Sequence, residues 1–414
     1  MSTKNSINGT SLLVKNCMVQ GAYWASVCTI AGFASVLLLS KGFSNSQIGL
    51  ALALGNILGV ICQPVVGALA DSSKKLGLHS LSIMLSTAAI VLLSVLYFIP
   101  NIIVAVFAVF VATVAIDQTI QPLVNSVSVY YISRGVNVDF GISRGIGSLT
   151  YAIASTIVGK LVTVYDESVI ILASVVCLGI TSLSFVILPK LADNNETKQT
   201  NEINEDGVET TAPEKISIFD FIKKYKYFCL TLVGGTFLLT NHNIGVSYMI
   251  QILNNIGGNT EDMGMSMSIA ALVELPVMFL FTRLMKKFKA SQLIKFSALA
   301  FAIKGIGFLL AMNVGQFLAV QVLQMFTFGM YIPAGVYLAN ECMEEQDKFK
   351  GQALMAGTNT LGGVVGSLVG GLVLDMAGVK MMLIISFAFA AAGFVLVFLY
   401  AGRNLALYSE VSEK

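Results

Sequence analysis

The chain has 414 residues, of which 56% are hydrophobic and only 12% charged, with a mean hydropathy of +0.80. A soluble domain carries about 25% charged residues, so this composition is that of a membrane protein whose main surroundings are a lipid bilayer. Lys plus Arg number 25 against 23 Asp plus Glu, a balance that gives no electrostatic case for a nucleic-acid partner.

Six cysteines (Cys17, Cys28, Cys62, Cys177, Cys229, Cys342) lack CxxC spacing and mostly lie in apolar runs. They read as small buried hydrophobes, not as a disulfide framework or metal site. The opening MSTKNSINGTSLLVKN is polar, without a basic region feeding a short apolar core, so no cleaved signal peptide is expected. There is no GxxxxGK(S/T) loop for a nucleoside triphosphate and no HExxH or GxSxG run. ATP-driven pumping and hydrolase chemistry therefore lose support; neither an enzyme nor a resident cofactor or metal is expected.

A bilayer core takes about 20 apolar residues per helix. Twelve such runs follow one another, roughly at 16–40, 46–70, 78–99, 101–131, 139–164, 168–189, 226–256, 262–285, 291–312, 314–341, 348–375 and 380–401. Ser44 and Gln47 form a capping-box pattern opening the second run, and Pro100 with Asn101 marks the turn after the third. The connections are short, so neighbouring helices are antiparallel. The fold class is an all-α membrane protein of twelve transmembrane helices in two six-helix, pseudo-symmetric halves.

Between the sixth and seventh runs, LADNNETKQTNEINEDGVETTAPEKIS is polar, acidic and too poor in apolar residues to fold alone. It divides the chain into a bundle at 1–190, a linker at 191–217 and a bundle at 218–414. In IFDFIKKYKYF, Ile218, Phe221, Ile222 and Tyr225 share a helical face with lysines interleaved. That suits an interfacial lead-in or simply the start of the seventh span.

Nearly every basic residue outside the spans falls on the side that holds both termini; only Lys41, Lys160 and Lys380 fall opposite. By the positive-inside rule both termini and the linker are cytoplasmic, in a plasma membrane. A shift of 210 residues superimposes Gly141 on Gly351 and Gly147 on Gly357, the weak internal match expected between transporter halves. The GxxxG frames at Gly362, Gly366 and Gly370, and at Gly55 and Gly59, read as helix packing.

Five ionisable side chains remain inside the spans: Asp117, Arg144, His242, Glu274 and Lys304. A charge near the bilayer centre costs roughly 2.5–3.5 kcal/mol on insertion scales, so such groups usually face a water-filled pathway; a neutralised pair pinning two helices is the structural alternative. Folding each hairpin about its turn sets Glu274 level with Lys304, and His242 within about half a turn of Glu274, one polar layer in the second half. In the fourth span Asp117, Gln121 and Asn125 recur at i, i+4, i+8 on one face. The same folding puts Arg144 beside Asn125 and Asp117 about 12 Å further along. Tyr23, Trp24 and Tyr151 are aromatic groups able to pack a solute ring.

GALADSSKK (Gly67 to Lys75) resembles the loop between spans two and three of the major facilitator superfamily, with Ser72 where that pattern has arginine. The resemblance implies a conformational latch made by Gly67, Asp71, Lys74 and Lys75. GAYWASVC, PLVNSV and FGISRGIGSLTYAIASTIVG resemble the lactose permease branch, the oligosaccharide/proton symporters, over most of the chain. That resemblance makes Arg144 the arginine that holds a sugar and Tyr151 the ring on which it stacks. It also puts Asn125 where the branch has an acid. Glu274 matches the branch's span-eight glutamate and Lys304 an arginine, while Gln324 and Thr327 replace the histidine and glutamate of its proton relay.

The function so implied is a secondary active transporter, a proton-coupled symporter of a sugar or similar hydroxylated solute working by alternating access, with sodium as the alternative coupling ion. Arg144, Asn125, Tyr151, Gln121, Tyr23 and Trp24 are the expected solute contacts. Glu274 first, then Asp117, with His242 and Lys304, are the expected coupling groups. Nucleoside symport, export of amphipathic compounds through a Met-lined cavity (Met263, Met265, Met267) and a non-transporting sensor are the alternatives. A monomer is expected from the resemblance.

Overall fold

The computed structural model describes residues 9–72, 77–134, 136, 138–189 and 218–403, and within them every regular element is a helix. The linker expected at 191–217 lies outside the described residues. In the first half, α1 (Gly9–Val27) passes through a π-helical turn (Cys28–Gly32) into α2 (Ala34–Ser40), a pair bent by 44°. There follow α3 (Asn45–Ser72), α4 (Leu78–Phe98), α5 (Ile103–Ile132), α6 (Phe140–Val164) and α7 (Ser168–Ile187). The second half has the short α8 (Ile218–Lys224), α9 (Lys226–Ser247), α10 (Met249–Asn255), α11 (Thr260–Met285) and α12 (Ala290–Leu310). It ends with α13 (Val314–Gln321), a 3-10 turn (Val322–Met325), α14 (Phe328–Cys342) and α15 (Lys348–Tyr400).

Among the described residues nine helices are long and apolar enough to cross a bilayer, or ten when α1 and α2 count as one bent span. The 53 residues of α15 include Gly378 at φ 76°, ψ 179°, a non-helical break where the sequence places the turn between its last two runs. Counting its two arms separately, and α9 with α10 as one pass, gives the twelve runs of the sequence.

Local chemistry sets the helix starts. Ser44 N–H donates to Gln47 Oε1 at 3.0 Å while Gln47 N–H donates to Ser44 Oγ at 3.3 Å, the reciprocal cap read from the sequence. Asn259 and Asp262 form the same box at α11. The lead-in at 218–225 is helical; Phe221 and Tyr225 are buried, whereas Ile222 is 47% exposed, so the packed face is narrower than the four-residue pattern suggested.

Lipid tails are as apolar as leucine, so close packing holds membrane helices together, and small residues supply it. Gly362 and Gly366 lie against the Leu239–Thr240 backbone and Gly370 against Tyr248, which seats α15 on α9. Between the halves, α3 packs on α15 and α6 on α11. A Cβ at Gly49 would strike the Ser367 carbonyl, and one at Gly159 would come within 2.7 Å of the Thr260 carbonyl.

Gly145 of α6 meets Phe279 of α11 toward one end, while the tightest of these contacts lie at the other. There a single apolar core runs through both halves, from Phe43 and Ile48 to Tyr248, Met263 and Leu374. At the opposite end, the side of the described chain ends, the core divides into one block around Phe228, Phe281 and Leu338 and another around Leu12, Val127 and Phe185. Gly67 and Gly357, on that side of α3 and α15, have nothing within 4 Å of a Cβ position. The apolar cores thus join at the far end and separate toward the termini.

Candidate functional site

Arg144, Ser148 and Tyr151 recur at i, i+4, i+7 on one face of α6. Arg144 Nη1 donates to Ser148 Oγ at 2.9 Å, and its guanidinium lies 3.9 Å from the centre of the Trp24 ring on α1. Trp24 Nε1 donates to Gln20 Oε1 at 3.1 Å, and Gln20 Nε2 lies 3.4 Å from Asn125 Oδ1. Arg144 therefore reaches Asn125 through Trp24 and Gln20 and not directly. Gln20 is completely buried. Sequence reading missed it because it searched the spans for charges; the available signal was an amide one turn before the only tryptophan.

The fourth-span stripe divides. Gln121 and Asn125 are partly exposed, but Asp117 is 2% exposed and turns toward α1. Its carboxylate accepts from Ser26 Oγ at 3.5 Å, and the Tyr23 hydroxyl donates to its backbone carbonyl at 3.0 Å. Tyr23, expected to face solute, is 1% exposed inside the first bundle; its hydroxyl is spent on a helix–helix bond. Asp117 likewise sits apart from the layer that holds Glu274. A second amide group lies beside this stripe: Gln118 Nε2 donates to Asn56 Oδ1 at 3.1 Å, and Asn56 and Asn243 both approach Gly363.

In the second half the break between α13 and α14 is decisive. Its 3-10 turn carries Gln324 inward, where Nε2 donates to Glu274 Oε1 at 2.7 Å while Oε1 accepts from Lys304 Nζ. Glu274 and Lys304 share a level, as the hairpin geometry required, and Gln324 bridges them. A bridge of this kind satisfies both charges without bringing them into contact, and each end is a charge-assisted hydrogen bond. Thr327, the other residue at a former relay position, accepts at its backbone carbonyl from Ser297 Oγ at 3.0 Å. His242 stacks on Phe328 at 4.8 Å between ring centres and meets Phe301 edge-on, at the border of the same polar layer.

The two groups face one another across the α6–α11 seam. Arg144 on α6 and Glu274 on α11 are oppositely charged side chains on helices that pack together, with Gly145 against Phe279, and Tyr151 sits at the same seam, its hydroxyl 3.3 Å from a Cβ position at Gly32, which Met267 also crowds. Met263 and Met267 are 1% and 4% exposed and belong to the apolar core of the far seal, whereas Met265 is 42% exposed. Of the expected latch, Gly67 sits in open space near the end of α3; Asp71 lies in the last turn of that helix, and Lys74 and Lys75 lie outside the described residues. Among the described residues no three His, Cys, Asp or Glu side chains converge in a way that could hold a metal ion.

A family model described as MFS_1 like family matches residues 22–401. The chain belongs to the MFS_1 like family. It is a membrane transporter of the major facilitator type. Solved structures agree on the fold: a point mutant of the nucleoside transporter NupG superposes with a TM-score of 0.76 at 17% identity, covering 95% of this chain and 99% of that one. A bacterial homolog of the human lysosomal transporter Spinster, inward-facing and unoccupied, gives 0.65 at 12% identity over 97% and 98% of the two chains. A POT family peptide transporter gives 0.65 at 11% over 95% and 97%. No curated protein matches the sequence.

Proposed function

We propose that this MFS_1 like transporter takes up a neutral, hydroxylated solute in symport with a proton, a nucleoside in the first place and a sugar in the second. The observation that carries the reading is the pairing, across the seam, of the Arg144–Trp24 platform with the Glu274–Gln324–Lys304 bridge. One guanidinium and a ring of amides suit a solute with many hydrogen-bonding atoms and no net charge. Asn and Gln amides match the donor–acceptor edge of a base, and an aromatic face with a guanidinium plane stacks it. The fold likeness to a nucleoside transporter agrees with that choice. The sugar reading draws on the partly exposed Trp24 ring and on the resemblance to the lactose permease branch. Export of amphipathic compounds has weaker support, because Met263 and Met267 are buried and only Met265 is exposed.

The halves rock about this site, with the termini on the cytoplasmic side of the plasma membrane and the protein acting as a monomer. Glu274 carries the proton: neutralising it loosens Gln324 from one partner and lowers the cost of moving the layer between exposures. The test is uptake of labelled nucleosides and sugars into energised proteoliposomes, with and without a protonophore, for wild type and Arg144→Ala. Protonophore-sensitive accumulation that is lost in the variant supports the reading. Accumulation that persists with the protonophore and follows sodium overturns the coupling ion, and failure of every nucleoside and sugar overturns the solute class.

A further inference from the structure

Beside Lys304, the cation of the Glu274–Gln324–Lys304 bridge, lies a small, partly enclosed cavity of about 10 Å³ bordered by Asn241, His242, Phe301, Lys304, Phe308 and Gln321. A space of this size holds the centre of one water molecule, and a buried water needs two to four polar partners. Two candidates stand out by their unmet bonding. Gln321 is 2% exposed, and its Oε1 has no hydrogen-bond partner. An unsatisfied buried acceptor costs about 1–3 kcal/mol and calls for an explanation. Lys304 is 5% exposed and has three N–H donors; one goes to Gln324 Oε1, and the ammonium otherwise lies 5.2 Å from the centre of the Phe308 ring.

An unmet acceptor and a donor with hydrogens to spare border the same water-sized space. We propose that this cavity is a water site in which one bound water accepts from Lys304 Nζ and donates to Gln321 Oε1. Asn241 and His242 flank it. Gln321 and Gln324 stand one 3-10 turn apart at the end of α13, so Lys304 is provided with a glutamine carbonyl on either side, one direct and one through water. The charged groups around the ammonium are Glu274 on α11, joined through Gln324, and Arg144 on α6 beyond it; His242 on α9 is the other titratable neighbour. Given the reading of Glu274 as proton carrier, the water has a role in the cycle. When Glu274 is protonated or Gln324 turns to the solute, the ammonium keeps a polar partner on its far side and remains charged within the bundle.

Two measurements test the site without any solute. A density map of the full-length protein fine enough to show ordered water is expected to contain a peak within hydrogen-bond distance of both Lys304 Nζ and Gln321 Oε1; a cavity without a peak overturns the proposal. In a double-mutant cycle, Gln321→Leu is expected to lower the Tm of the purified wild type by roughly 2–4 °C. The same change in a Lys304→Met background should have no effect or raise the Tm. Losses that simply add overturn the link, since residues without a shared partner behave additively; should Gln321→Leu fail to fold, Gln321→Asn against Lys304→Met reads the same coupling. In proteoliposomes Gln321→Leu is expected to cut gradient-driven accumulation several-fold, and unchanged accumulation overturns the role in the cycle. If the wild type accumulates nothing, the symport reading falls while the density and the cycle still decide the water.

Discussion

The guanidinium of Arg144 lies 3.9 Å from the centre of the Trp24 ring, and Trp24 is the only tryptophan in the chain. Its emission therefore reports on the solute platform without interference. A solute entering between Arg144 and Glu274 is expected to change that emission saturably. Arg144→Ala should weaken the response about tenfold or more, because a hydrogen bond to a charged group is worth ~1.5–3 kcal/mol. Arg144→Lys should not restore it, since lysine lacks the planar fork that both stacks and donates. A titration with unchanged midpoint in Arg144→Ala would remove Arg144 from the site.

Gln324 is the joint on which the coupling scheme depends. Replacing it with leucine leaves the partly buried Glu274 and the buried Lys304 without their shared partner, at a cost of about 1–3 kcal/mol. A lower Tm and loss of gradient-driven uptake are expected together. Glu274→Gln removes the titrating group but keeps an amide for Gln324, so it should abolish accumulation while solute exchange across the membrane persists. Accumulation at wild-type level in Glu274→Gln would place the proton elsewhere.

Much of the fold is legible in the sequence because apolar runs of about 20 residues leave a helix little alternative in a bilayer. The run at 78–99 becomes Leu78–Phe98 and that at 139–164 becomes Phe140–Val164. The first helix already includes Gly9, ahead of the apolar run that begins near residue 16, since a polar turn such as Gly-Thr-Ser can extend beyond the apolar stretch. Charges within spans led to Arg144, Glu274 and Lys304 because burying an ion needs a reason. Gln20 and Gln321 give no such signal, because an uncharged amide is cheap enough in a span to pass for packing; Gln324 is marked only by the resemblance, and its bridging role appears when a broken helix turns it toward Glu274 and Lys304. Asp117 misled for the complementary reason, as the i, i+4 count names a face but not the neighbour it meets, here Ser26 and Tyr23 of α1.

The far seal between α3 and α15 makes a prediction about the conformational cycle. Asp375 accepts from the backbone N–H groups of Asn45 and Ser46, at 3.1 and 2.7 Å, and from Asn45 Nδ2 at 2.8 Å, so a carboxylate of one half caps a helix start of the other. Tyr248 OH donates to the Ser367 carbonyl beside it. Asp375→Ala removes the cap, and Gly49→Leu drives a side chain into the Ser367 backbone. Both should increase labelling of single cysteines placed on the far side of α3, with Gly49→Leu the stronger. Unchanged labelling in both would mean that this contact does not hold the far end shut.

On the side of the termini, Lys224 ties the short α8 to the turn before α15. Its ammonium lies 2.8 Å from Glu344 and 3.2 Å from the Asp347 carboxylate, which is 1% exposed and also accepts from Tyr225 OH at 2.9 Å. The hydrogen bond to Glu344, more than any other contact, holds the Lys224 ammonium above the ordinary lysine range. A raised value in the folded state means that the contribution is fully present below the unfolded lysine pKa and is lost as pH rises through the folded one. Anchoring of α8 should therefore be flat from about pH 5 to about pH 9. Lys224→Met should lower the Tm, because Asp347 then keeps only Tyr225 and the more exposed Lys350, which lies 3.4 Å away. Proteolysis at the 191–217 junction should quicken in the variant at every pH in that window. Cleavage that accelerates only toward acid would instead assign the anchor to a carboxylate losing its charge.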